Sequence, residues 1–411
     1  MRTLMLSWEY PPKNVGGLAR HVYDLTKELA SQGEEIFLLT CAAEGAPAEE
    51  NINHIHISRV ESLNLPSRDF TNWVLQLNFA LLAKAIKLEE EYGPFDLIHA
   101  HDWLVAFAAR TMKHAKNIPL LTTIHATEHG RNQGIHSDLQ RYINDVEWWL
   151  TYESWQVIVC SQFMKGELKK IFQLPDNKIQ VVPNGVDIDA FKTIATEFNR
   201  AQYASEQEKI VFFVGRLVQE KGLQVLLDAV PKILHYCPEA KFIIAGTGPH
   251  EEYLKKKAHM INKKDKIFFT GYIDDAVRNA LYKNAHVAVF PSLYEPFGIV
   301  ALEAMAAGIP VVVSDVGGFS EVVTHGIDGL KAYSGNPESL ADNIILMLKN
   351  QNAVQVMKTN ALNKVETYFT WPKIATQTRA IYQMILEEAR HSKSLAAAQS
   401  EKRGWEVVKS H

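Results

Sequence analysis

Pro291-Ser292-Leu293-Tyr294-Glu295-Pro296-Phe297-Gly298-Ile299-Val300-Ala301-Leu302-Glu303-Ala304-Met305-Ala306-Ala307-Gly308-Ile309-Pro310 decides the fold and points to the site. It follows Val287-Ala288-Val289-Phe290, an apolar run that reads as a buried parallel strand. A loop with Pro296 and a carboxylate comes next, Gly298 opens a helix, and Gly308-Ile309-Pro310 ends it before a strand at Val311–Val313. Strand, loop and helix start in this order place unpaired N–H groups and a positive dipole end where a phosphate can sit. Glu295 and Glu303, eight positions apart, straddle that point and can grip hydroxyls on either side of a diphosphate. Without that ligand, the same pattern is a strand, a loop and a helix with two solvated or capping glutamates.

The same rhythm runs through the chain. Strands are expected at Thr3–Ser7, Ile36–Thr40, Ile55–Ser58, Leu97–Ala100, Leu120–Ile124, Val157–Cys160 and Ile179–Val182. After a break they resume at Ile210–Val214, Phe242–Ala245, Ile267–Thr270 and the two already named. Helical patterns such as Leu18–Ser31, Asn72–Glu91 and Trp103–His114 lie between them. Alternation of this kind means βαβ units in an α/β chain, and continuous apolar strands mean sheets covered on both faces. The break at Pro183-Asn184-Gly185-Val186-Asp187 and the polar segment Thr193–Lys209 divides two Rossmann-like, doubly wound domains, residues 1–190 and 191–370. A helix over about 371–390 follows, and the tail 391–411 reads as a loosely held helix or a disordered end.

At 411 residues the chain is too long for one ordinary core. With 47% hydrophobic and 22% charged residues it has a soluble globular profile, and a net charge of −4 implies no nucleic-acid surface. Cys41, Cys160 and Cys237 sit in apolar runs without metal-ligand spacing, so reduced thiols and a cytoplasmic setting are expected. No run suits a signal peptide or a membrane span, which leaves peripheral membrane contact open.

The Glu295-x7-Glu303 element, with Pro-Ser-x-x-Glu-Pro-Phe-Gly before the helix, resembles that of retaining glycosyltransferases of the GT-B fold, in the family 4 and glycogen synthase group. The resemblance covers nearly all of residues 1–390 and implies two domains facing across a cleft. It implies that Glu295 contacts the donor sugar and Glu303 the ribose, with Phe297, Gly298 and Ile299 near the nucleotide. Trp8–Leu18, containing Gly16-Gly17, resembles the Lys-Val-Gly-Gly-Leu loop of glycogen synthases, where the glycines face the donor. Here Asn14 and Val15 separate Lys13 from Gly16, so the glycines carry over better than the lysine. His125, after a buried strand, matches a histidine that reaches the donor sugar. Asp102, in His101-Asp102-Trp103, either binds acceptor hydroxyls or N-caps the next helix.

Arg216 and Lys221, in Gly215-Arg216…Glu220-Lys221-Gly222, lie five apart across a loop and can converge on one anion. Two fixed cations stabilise charge growing on a departing diphosphate. Gly246 and Gly248 form a Gly-x-Gly near the donor in that family, but the third glycine of the dinucleotide fingerprint is missing, which disfavours a dehydrogenase. Tyr272 stands where the nucleobase is held. His99 and His101 lack metal-ligand spacing, so no metal and no cofactor are expected. Trp148, Tyr152 and Trp155 follow helical spacing and read as helix packing.

The expected activity is transfer of an α-glycosyl unit, glucose first among candidates, from ADP-glucose or UDP-glucose to an acceptor. An α-1,4-glucan is favoured, with a lipid or small molecule as the alternative. His125, Arg216, Lys221 and Glu295 are the candidate catalytic set. A phosphorylase, a glycoside hydrolase using the two glutamates, and a non-enzymatic sensor are the rival readings. Oligomeric state is not legible.

Overall fold

A computed structural model describes residues 1–14, 16–63, 65–66, 69–192, 198–261 and 263–408. Val15, part of the predicted linker (193–197) and the last three tail residues lie outside them.

The first sheet has eight strands: β1 (Arg2–Leu6), β2 (Glu35–Cys41), β3 (Glu49–Ile52), β4 (Ile55–Val60), β5 (Leu97–His101), β6 (Leu120–Ile124), β7 (Gln156–Val159) and β8 (Ile179–Val181). Their order is β3-β4-β2-β1-β5-β6-β7-β8. All neighbours are parallel except the β3–β4 hairpin. The second sheet has β9 (Lys209–Val214), β10 (Ala240–Ala245), β11 (Ile267–Gly271), β12 (Val287–Phe290), β13 (Val311–Ser314) and β14 (Leu330–Ala332). Its order is β11-β10-β9-β12-β13-β14, parallel throughout. Strand order reverses beside β1 and β9, so the loops after these strands open at the crevice where α/β sheets bind ligands.

The central parallel strands bury both faces, as their unbroken apolar runs require, whereas the edge strands β8 and β11 are partly open. Two strands escaped the sequence reading. Glu49-Glu50-Asn51-Ile52 is an exposed, charged edge with no apolar face. It is turned by Asn53 and His54, both at positive φ, a hairpin signal. The other, β14, has three residues.

The terminal helix runs from Trp371 to Val408, longer than expected. It returns to the first sheet: Ile374, Ala375, Tyr382 and Ile385 are fully buried in one core with Leu25, Leu29, Ile36 and Ile57. Each aliphatic buried this way contributes roughly 1.5–3 kcal/mol. Where the chain crosses back, Val186 N–H donates to Phe369 O at 2.8 Å, so both crossings lie side by side. Trp148 and Tyr152 do not pack as expected. They stand exposed on the outer face of the Asp138–Glu153 helix and stack on each other at 5.6 Å. Trp155 lies beyond that helix and donates to Glu388 of the terminal helix.

Candidate functional site

Lys221 and Glu295, 74 positions apart, form an ion pair of 2.8 Å. Lys221 ends a short 3-10 turn, Gln219–Lys221, after β9; Glu295 lies in the loop after β12. Backbone bonds stitch the two loops together: Leu293 N–H donates to Glu220 O at 2.7 Å and Tyr294 N–H to the same oxygen at 3.3 Å. Ser292 Oγ donates to the same Glu295 oxygen at 3.1 Å. Gly222 permits this contact. Its φ is +68°, and a Cβ there would fall 1.8 Å from Pro291 O. Arg216 opens the same loop and is exposed.

Gly298 is the N-cap of the Ile299–Ala306 helix, at φ 105°, with no side chain capping its first N–H groups. Phe297 is buried behind it. Ile299 reaches across to the first domain, where a Cβ on Gly17 would touch its Cδ1 at 3.3 Å, whereas Gly16 has nothing within 4 Å. Glu303, further along the helix, is held by Tyr282 OH at 3.3 Å and by Arg278 at 3.6 Å. Burial pushes the Tyr282 phenol well up, and the neighbouring Glu303 adds to it. Burial opposes the Arg278 charge, but Glu303 and Asp275 more than restore it. A narrow cavity between the domains is lined by Arg20, Asp24, Arg278, Ile299 and Glu303, among others.

The first domain faces this assembly. Asp102 does not cap the following turn. At φ 59°, its Oδ1 accepts the His125 N–H at 2.8 Å, which fixes the β6 loop. Burial pushes its carboxyl up to about 6, against the pull of Arg131 and of that N–H. Burial and then Arg131 push the His125 imidazole down to about 3, so it is neutral at physiological pH. Glu147, which accepts the Glu128 N–H, is raised by burial to about 8.

Residues flanking Glu295 dock on the first domain. Ser161 Oγ donates to Pro296 O at 2.6 Å, and Tyr294 OH to Glu167 at 3.0 Å. Thr127, two residues after His125, donates to the same Glu167 oxygen. Glu321 accepts the Gln162 and Phe163 N–H groups at 2.9 and 2.8 Å, at the start of the Gln162–Phe172 helix. Arg20 bridges to Asp275 at 3.0 Å. These bonds hold the domains together. Because Glu321 is exposed, its share is about 1 kcal/mol. Glu321→Ala is therefore expected to shift an open–closed balance roughly fivefold toward open. Small-angle scattering of the free protein checks this; an unchanged radius of gyration would count against the clasp.

Neighbouring groups shape three further positions. Gly246 and Gly248 are shaped by packing: Cβ atoms there would fall 2.0 Å from Gly215 O and 2.4 Å from Leu217 O. The backbone they admit is the Arg216 loop. Tyr272 is largely exposed. Lys13 turns from the glycines to lie over the rings of Trp8 and Trp73, at 5.4 and 5.6 Å.

The profile described as "Glycosyl transferases group 1" matches residues 195–364, and "Glycosyltransferase Family 4" matches residues 15–190. An uncharacterized glycosyltransferase of Methanocaldococcus jannaschii is 37% identical over 397 residues, spanning 94% of this chain and 99% of that protein. The chain belongs to glycosyltransferase family 4. A glycogen synthase of Mycobacterium tuberculosis is 34% identical, over 93% of this chain and 94% of its own. A sucrose-phosphate synthase from Thermosynechococcus elongatus superposes with a TM-score of 0.82 at 25% identity, covering 94% of this chain and all of that one. Two facing parallel-sheet domains are the GT-B architecture.

Several residues of this family 4 transferase's site were missed in the sequence. Tyr294, Arg278, Tyr282 and Glu321 have no motif of their own, and Ser292, though inside the Pro-Ser-x-x-Glu-Pro-Phe-Gly run, was not singled out. Gly317-Gly318 was a readable signal: Gly318 N–H donates to Glu295 O at 2.8 Å, and a Cβ on Gly317 would strike that oxygen. Among the described residues, no helix is long and apolar enough to cross a membrane.

Proposed function

We propose that this glycosyltransferase moves an α-glucosyl unit from ADP-glucose or UDP-glucose to a hydroxyl of an α-1,4-glucan, with retention of configuration. The observation that supports the reading is the Lys221–Glu295 pair, with Arg216 on the loop that carries Lys221 and the Ile299–Ala306 helix beginning just after Glu295. Two cations on one loop and a helix dipole that opens after Glu295 suit a leaving diphosphate. Glu295 is the residue whose neighbours touch the His125 side of the cleft, so it can hold the sugar between the domains. His125, neutral and positioned by Asp102, is suited to meet a sugar hydroxyl. Glu303 takes the ribose.

The departing phosphate oxygen accepts the acceptor's proton on the same face, so no separate base is required. Closure excludes the water that would hydrolyse the donor. The glucan acceptor is supported by the 34% identical glycogen synthase. Buried, unpaired cysteines suit the reducing cytoplasm, where we place it.

The test is a matrix of nucleotide sugars against maltooligosaccharides, glycogen and small acceptors, scored by nucleoside diphosphate release. Release that ignores the acceptor, or glucan hydrolysis without nucleotide, would sink the reading. Glu303→Ala is expected to weaken nucleoside diphosphate binding about 10-fold, a charged hydrogen-bond loss. Calorimetry should show the deficit shrinking for a 2′,3′-dideoxyribose analogue; an equal deficit would place the ribose elsewhere.

A further inference from the structure

His21, His101 and His125 come from three separate elements: the Gly17–Ser31 helix, the end of β5 and the loop after β6. Nothing in their spacing along the chain relates them. In the fold, one ligand nitrogen from each lies within 4.8 Å of the other two. His21 Nδ1 is 2.7 Å from Asn184 Oδ1, so that nitrogen carries the proton and Nε2 presents a lone pair. His101 Nδ1 is 3.1 Å from His125 Nε2. His21 Nε2 and His101 Nε2 are buried and have no hydrogen-bond partner among the described residues. Two orphaned imidazole nitrogens in one buried cluster are costly unless something fills them. His99 next door shows the satisfied alternative, with Tyr382 OH at 2.7 Å and Thr123 Oγ1 at 2.8 Å.

We propose that His21, His101 and His125 bind a zinc-class divalent transition-metal ion that restrains the transferase. Three imidazoles with a fourth position left open match the preferences of such an ion, and bonds of about 2.0–2.1 Å would set the nitrogens roughly 3.4 Å apart. Drawing the cluster in by about an ångström completes the site. Asn184 supplies the second contact that metal-bound histidines make through their other nitrogen.

Asn184 also belongs to the segment where the chain leaves the first domain, and Trp371, where it returns, stacks edge-on to His21 at 5.5 Å. An ion here therefore ties both crossings to the cleft wall. It also withdraws His125 from the sugar. The ion lies on the opposite wall from Lys221, so it takes no part in the departure of the diphosphate.

Cobalt(II) titration of the full chain tests this independently of activity. One equivalent per chain with visible ligand-field bands, displaced by zinc, is expected. His21→Gln should abolish the bands, and Asn184→Ala should weaken binding about 10-fold. His136→Gln, at an exposed histidine, should leave them unchanged. Absence of bands in the unaltered protein overturns the proposal even if His21→Gln does not fold. Bands that survive His21→Gln in a folded protein overturn it too. Micromolar zinc should inhibit transfer, reversibly by chelator, and inhibition should be lost with the bands.

Discussion

Lys221→Ala is expected to lower kcat by about 10²–10³-fold while leaving the KM for the nucleotide sugar within a few-fold. In the free protein the ammonium pairs with Glu295 at 2.8 Å, so part of its charge is already balanced in the ground state. In the proposed reaction, charge grows on the diphosphate only as the glycosidic bond breaks, and the lysine's attraction grows with it. An interaction that strengthens in the transition state appears in kcat. Steady-state kinetics with varied donor and saturating acceptor measures it. A variant with altered KM and normal kcat would show that Lys221 merely binds.

The pair also makes a second measurement informative. Removing the lysine leaves the buried Glu295 carboxylate with Ser292 as its remaining bonded partner among the described residues. Combining Lys221→Ala with Glu295→Gln therefore should cost less than the sum of the two single losses. Full additivity would mean that the two side chains act apart.

Gly222→Ala is expected to destabilise the second domain by about 3 kcal/mol or more. Two costs combine: a left-handed φ of +68° for a residue with a Cβ, and a collision 1.8 Å from Pro291 O. The partner in that collision is backbone in the loop leading to Glu295, so relief requires the Lys221 and Glu295 loops to separate. Thermal unfolding should show an early transition, and any folded fraction should lose the Lys221–Glu295 pairing and with it transfer. Gly16→Ala is the contrasting case. Its extended backbone and the absence of any atom of the described residues within 4 Å of a Cβ there predict stability within about 0.5 kcal/mol of the parent. If Gly16 faces the donor, donor affinity falls in this stable variant. An unchanged midpoint for Gly222→Ala would refute the packing account.

Legibility of the site followed the type of signal. Glu295, Glu303, Arg216 and Lys221 stood out as candidates because each sits at a fixed offset from a strand end or a helix start, and local offsets survive in one dimension. Asp102 stayed ambiguous between cap and ligand; its bond to the His125 N–H spans two strands, which no local pattern encodes. Gly246 and Gly248 were read toward a ligand, yet the atoms that exclude a Cβ there belong to the neighbouring loop. Trp148 and Tyr152 had helical spacing but faced outward, since periodicity gives a stripe without saying which side is covered.

By itself, the sequence determined the alternation of buried strands and amphipathic helices, hence two parallel sheets, because apolar runs and turn residues act over a few neighbours. It also determined which loops end in carboxylates, cations and glycines. Tertiary structure alone decided which of these meet: Lys221 with Glu295, Tyr294 with Glu167, and three histidines around one point. Such contacts join residues tens to hundreds of positions apart, and the energy that selects them comes from closing the domains and returning the terminal helix onto the first sheet.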